Sequence, residues 1–292
     1  MTPSPSSAAL PDPLALIDAE AARSSSVLAA TDPAAPVPTC PDWTALDLLW
    51  HVTEVHEFWA SVLATEARTD EDAEKADGMK DPRPEGEDAR EQLVDRRARA
   101  TASLLAQLEK RPDDQAAWTW FSADQSVGFT RRMQVHEATM HRVDAELTAG
   151  AETLSPISEE VAADGLDHAV AVMFAAGHDW IPEWAELSPL ALLRLLPEGG
   201  EALDVEIAHW TGTRPRDGQE FDHLVARPLP EDADPDALPF AQAEGTALAI
   251  YLWLWGRSPG LDRLPGGARQ VELSGDEDAV PHVIDLLAQG MD

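Results

Sequence analysis

Glu137 and His141 stand four residues apart in the segment MQVHEATMHRVDAE. On a helix that spacing puts both side chains on one face, one turn apart. A further imidazole, His51 of WTALDLLWHVTEVH, lies about ninety residues earlier. Carried on a neighbouring antiparallel helix, it would complete a His₂Glu set. That is a usual catalytic zinc set, with one coordination position left open. Helical angles sort the remaining histidines. His56 is about 140° from His51, and His136 about 140° from His141, whereas Glu137 and His141 differ by only about 40°. Spacing alone also admits a pair of ordinary half-exposed polar residues. It admits His136 with Met140 too, although a thioether is a poor partner for zinc. HEATMH is not the zincin motif, because its second His comes one residue too late, so a helical metalloprotease is disfavoured. Asp47 lies one turn before His51 and Asp144 one turn after His141. Each could hold an imidazole N–H, and each could equally be a cap or a surface charge.

These residues need helices to position them. A first helix is expected from Asp12 as N-cap, with Pro13 in its first turn and Leu14, Ile17, Ala21 and Leu28 as its apolar stripe. A Pro-rich connector, Asp32 to Pro41, follows. The second helix starts at Thr44, where Asp47 three residues on makes a variant capping box. Residues 65–95 hold 12 acidic and 5 basic residues, which predicts a solvated loop or mobile insert. A third helix carries Leu93, Leu104 and Leu108 and stops at Pro112. A Trp-rich turn (Trp118, Trp120, Phe121) leads to Gly128, and a fourth helix runs to about Thr148, ending at Gly150. Four helices with mostly short links suggest an antiparallel bundle.

From Ser155 the texture changes. Ser158 is positioned to cap a helix that continues to about Ala176. ALLRLLP and ALDVEIAHW read as strands, the second with alternating Leu203, Val205 and Ile207. Another strand is expected around Leu224. Residues 243–255 read as a buried helix ending at Gly256. VELSG and DEDAVPHVIDLLAQ read as a last strand and a last helix. The expected architecture is therefore α+β: a helical bundle over residues 1–154, then a smaller mixed domain over 155–292. The aromatic run Tyr251, Trp253, Trp255 reads as core or domain interface, and Arg257 beyond it could present a guanidinium to a carboxylate.

Composition narrows the class of function. The chain has 292 residues, 54 of them acidic and 21 basic, for a formal net charge of −33. Phosphate-mediated binding of nucleic acid is disfavoured at that charge, as is attraction to an anionic membrane. With one cysteine, Cys40, no intrachain disulfide is available, and no catalytic cysteine signature surrounds it. No phosphate-binding Gly-rich loop or nucleophilic serine elbow is evident. The start, MTPSPSSAALPDP, has no basic region ahead of an apolar core. It reads as a short disordered tail, and a cytoplasmic location is expected.

Two long segments carry a resemblance. VPTCPDWTALDLLWHVTEVHEFWASVL (Val37 to Leu63) and VGFTRRMQVHEATMHRVDAELTAG (Val127 to Gly150) resemble the mycothiol-dependent maleylpyruvate isomerase family, whose N-terminal domain is a DinB-like bundle. ADGLDHAV, ALDVEIAHWTG and AEGTALAIYLWLWGR are similar to parts of that family's second domain. The resemblance implies an α+β chain: a DinB-like four-helix up-down bundle and a C-terminal domain closing over a metal face. It implies a divalent metal, normally zinc, held by His51, Glu137 and His141, with mycothiol as thiol cofactor. A domain-two arginine, for which Arg257 is the candidate, is expected to meet a substrate carboxylate. The implied activity is attack of an activated thiol on a small electrophile, as cis–trans isomerisation or thiol transfer. The alternatives are a non-catalytic metal- or ligand-binding bundle and a metal-dependent hydrolase. The acidic stretch 65–95 and the Pro-rich stretch 227–239 depart from the family pattern as insertions.

Overall fold

A computed structural model describes residues 10–267 and 269–291. The expected N-terminal tail therefore lies mostly outside the described residues. The chain divides into two compact units, Leu10–Pro156 and Ile157–Asp292.

The first unit is helical. Helix α1 spans Pro13–Ala30, with the Asp12 carboxylate accepting from the Ala15 N–H. The connector that follows is not featureless. It forms a small antiparallel hairpin of β1 (Pro36–Val37) and β2 (Cys40–Thr44). Buried Val37 joins an apolar cluster with Leu28, Leu48, Leu49, Val52 and Leu93, which anchors the hairpin. Helix α2, Ala45–Ala64, begins at Thr44 with both capping-box hydrogen bonds present. Two of its first amide donors, which no helical carbonyl can satisfy, reach back to the connector: Ala45 N–H to Ala35 O and Leu46 N–H to Pro33 O.

The acidic stretch corrects the expectation of a solvated loop. It contains helix α3, Asp70–Asp77, capped by Thr69, and residues 89–95 already belong to helix α4, Ala89–Glu109. Three acidic residues in the first turn of α3 complement its dipole, and small Ala73 and Ala76 are buried against the unit. Two cations of the stretch pair with α2. Lys80 lies 3.5 Å from Glu54, and Arg83 2.7 Å from Asp47. Arg96 of α4 grips Glu57 through two nitrogens and donates to the carbonyls of Asp81 and Pro82. Helix α5, Val127–Thr148, starts at a Ser126 cap. It ends before Gly150, whose φ of 71° is a conformation that glycine adopts without a Cβ clash. Helix α2 packs on α4 and α5, and α1 on α5 and α4.

In the second unit, Ser158 caps helix α6 (Glu159–His168). A π-helical stretch, Ala169–Phe174, joins it to α7 (Ala175–Asp179). Strands β3 (Glu186–Pro197), β4 (Leu203–Thr213) and β5 (Glu220–Pro228) form an antiparallel meander. The expected helix over 243–255 starts later than the sequence suggests. Its first residues belong to β6 (Phe240–Gly245), which runs parallel to β3, and helix α8 occupies Ala247–Leu254 behind a Thr246 cap. Strand β7 (Glu272–Gly275) completes a five-stranded sheet of order β5-β4-β3-β6-β7, and helix α9 (Val280–Gln289) packs on it. The molecule is thus mixed α+β, a helical part followed by a sheet domain. Among the described residues no helix is long and apolar enough to cross a membrane.

Candidate metal centre

His51 sits two turns into α2, and Glu137 and His141 lie midway along α5. Their side chains meet. His51 Nε2 is 3.1 Å from His141 Nε2 and 3.4 Å from Glu137 Oε1. His141 Nε2 is 3.1 Å from the same carboxylate oxygen. The three ligand atoms lie within 4.8 Å of one another, and no other such group occurs among the described residues. His51 and Glu137 side chains are 28% and 26% exposed and that of His141 is 6% exposed. One side of the cluster is therefore open while His141 forms its inner wall.

The electrostatics suit a cation. Burial by itself would disfavour charge on both members of the α5 pair. Against that, Glu137 and Asp144 hold the His141 imidazole up at about 10. His141 and His51 hold the Glu137 carboxyl well below its usual range, again against burial. Two imidazole nitrogens and one carboxylate oxygen at one point are a borderline-soft donor set fitting zinc.

The two aspartates separate. Asp144, fully buried, places Oδ2 2.9 Å from His141 Nδ1, and its Oδ1 accepts from Thr39 Oγ1 at 2.6 Å. A partner on Nδ1 orients the ring so that Nε2 faces the other ligands. Asp47 instead accepts from the Thr44 backbone and hydroxyl and pairs with Arg83. His51 Nδ1 lies 3.9 Å from Glu54 Oε1. Arg257 lies in the other unit. It is 3% exposed and donates from Nη1 to the Trp255 carbonyl at 2.5 Å.

Other residues stood out less in the sequence. His136 is fully buried and outside the convergent group. His56 is also outside it, yet lies in the core of the same unit, its Nδ1 3.1 Å from Thr101 Oγ1 of α4. Beside it, the buried Arg97 guanidinium of α4 donates to the Val52 carbonyl of α2. Burial, and then Arg97, push the His56 imidazole well below its ordinary value, with Glu137 opposing. Burial brings Arg97 itself down to about 9. The Trp43 ring packs on both imidazoles, its centroid 4.7 Å from that of His51 and 6.3 Å from that of His141. Its position immediately before the α2 cap was the available sequence signal.

Comparison with known proteins bears on the family and the fold. Residues 14–146 match the family model described as the mycothiol maleylpyruvate isomerase N-terminal domain, and residues 160–282 the C-terminal domain of the same family. No curated protein sequence matches. Among solved structures, a crystal structure of the mycothiol-dependent maleylpyruvate isomerase is similar in fold, with a TM-score of 0.51 at 13% identity. The match covers 92% of this chain and 96% of that one. A histidine-to-alanine mutant of that enzyme gives a TM-score of 0.50 at 12% identity, with the same coverage. With both of its halves matched by the paired domain models, the chain belongs to the mycothiol-dependent maleylpyruvate isomerase family.

Proposed function

We propose that this chain is a mycothiol-dependent metalloenzyme that activates a thiol for attack on a small electrophile, with cis–trans isomerisation or thiol transfer as the outcome. The observation that carries the reading is the convergence of His51, Glu137 and His141 on one point in a chain matched by both domain models of the family. In this reading the N-terminal domain, residues 1–154, is a DinB-like four-helix up-down bundle. The C-terminal domain, 155–292, is the smaller mixed domain of the family. The protein acts in the cytoplasm, without nucleic-acid or membrane partners.

His51, Glu137 and His141 would hold a divalent metal, zinc by donor type, and leave a fourth position to the thiol. When bound there, the cation supplies acidity, favouring loss of the thiol proton near neutral pH. The protein's own groups set the conditions for that chemistry. Glu137 contributes one compensating negative charge. Asp144 keeps His141 Nδ1 engaged, so that Nε2 faces the ligand point. Arg257 is the proposed contact for a substrate carboxylate, since a desolvated guanidinium pairs strongly with such a group.

Metal analysis coupled to a mycothiol titration tests the reading. One zinc per chain, with proton release on adding the thiol, is expected. His51→Ala should abolish zinc retention, and unchanged zinc content in that variant would overturn the ligand assignment. Zinc bound without any response to the thiol would favour a non-catalytic metal-binding module.

A further inference from the structure

We infer that the β1–β2 hairpin is a positioning clamp for the metal centre, acting through Thr39 and Trp43. The inference rests on reading His51, Glu137 and His141 as a metal-ligand set. It concerns residues that belong to neither of the helices carrying those ligands.

Thr39 occupies the two-residue turn between Val37 and Cys40, which are paired across the hairpin. Its hydroxyl donates to Asp144 Oδ1 at 2.6 Å, while the other Asp144 oxygen lies 2.9 Å from His141 Nδ1. The short distance is that of a strong hydroxyl-to-carboxylate bond. A buried carboxylate held on both oxygens has one rotamer to occupy, and that rotamer dictates the plane of the imidazole. Trp43, at the other end of the hairpin, acts on the ring faces. Its ring is inclined 26° to that of His141 and 49° to that of His51. The five residues from Thr39 to Trp43 thus restrain His141 at its Nδ1 edge and over its face.

The clamp is itself rigidly seated. Val37 is 1% exposed within the apolar cluster of α1, α2, α4 and α5. The first amides of α2 donate to the carbonyls of Pro33 and Ala35 on the approach to the hairpin. A ligand restrained in advance loses less conformational freedom when it binds, so the hairpin raises affinity for the cation without touching it.

Zinc affinity, measured by competition with a chromogenic chelator, tests the clamp in Thr39→Val, Thr39→Ser, Asp144→Asn and the Thr39→Val/Asp144→Asn double variant. Thr39→Val, nearly isosteric, should weaken zinc binding by about tenfold while thermal unfolding of the metal-free protein stays near wild type. Thr39→Ser should restore affinity to within about twofold of wild type, because the hydroxyl alone is required. Since Thr39 acts through Asp144, adding Thr39→Val to Asp144→Asn should cost little more. Trp43→Ala should weaken zinc binding and Trp43→Phe largely preserve it. Wild-type affinity in both Thr39→Val and Trp43→Ala would overturn the clamp while leaving the ligand set intact. Additive losses in the double variant would overturn the route through Asp144. A wild-type protein that retains no zinc would overturn the ligand set itself and the clamp with it.

Discussion

His141 is the residue on which the site turns, because it receives a carboxylate at each ring nitrogen: Glu137 at Nε2 and Asp144 at Nδ1. Removing the Asp144 charge while keeping its shape isolates the orienting bond. Asp144→Asn should lower zinc affinity about 10- to 100-fold, as read by chelator competition. His56 makes a different contribution. It is buried neutral, its folded-state value held well below the ordinary 6.5 by burial and by Arg97. Above pH 6.5 neither the folded nor the unfolded state binds a proton there, and the stability is fully present. As pH falls below 6.5 the unfolded chain takes up a proton that the folded chain refuses. Stability is then lost at up to about 1.4 kcal/mol per pH unit, until the folded-state value is reached. Urea unfolding between pH 7 and pH 5 should show a smaller acid slope in His56→Leu than in wild type. Equal slopes would contradict the buried neutral state.

At the scale of elements, the site depends on how α5 is held against its neighbours. Arg142, fully buried on α5, donates to Glu20 of α1 at 2.6 Å and to Glu146 one turn on at 3.0 Å. Glu146 in turn accepts from Arg23 and from the Ser155 amide and hydroxyl. The network, starting at the residue after His141, locks α1 to α5. Breaking a buried ion network by removing one member leaves uncompensated charge, and that is expensive. Arg142→Met should therefore destabilise the protein by about 3 kcal/mol, measurable as a lower denaturation midpoint at unchanged slope. The start of α2 was readable in the sequence because a capping box is a local pattern, with Thr44 and Asp47 three apart. The hairpin before it was not. Its strands are short and Pro-rich, and Val37 reveals itself only by burial among residues from four helices. Strand β6 was missed for a related reason. Its residues became a strand by pairing with β3, which lies far away in sequence.

For the whole molecule, the dominant quantity is a net charge of −33. Like charges at that density repel one another and oppose compaction. Lys80 and Arg83 of the acidic stretch offset part of this by pairing with α2, but surface pairs of that kind each contribute at most about 1 kcal/mol. Added salt should therefore stabilise the protein. Raising ionic strength from about 0.01 M to about 0.15 M shortens the screening length from about 30 Å to about 8 Å. The thermal midpoint should rise over that range, and a fall would show that attractive pairs dominate instead. The same negative field favours arrival of a divalent cation and slows that of an anionic substrate.

The sequence by itself determined what depends on neighbours along the chain. It set the caps at Asp12, Thr44 and Ser158, the stripe that puts Glu137 and His141 on one helical face, and the succession of a helical half by a mixed one. These follow from backbone stereochemistry and hydrogen bonding over a few residues. Tertiary structure decided what depends on approach between distant segments. It selected Asp144 rather than Asp47 as the imidazole's acceptor. It drew His56 and Arg97 into the core of the same unit, and set Thr39 and Trp43 against the ligands. The angle between His51 and His56 on one helix is a property of that helix. Which of the two meets Glu137 within hydrogen-bonding reach depends on how α2 lies across α5, and no local pattern encodes that.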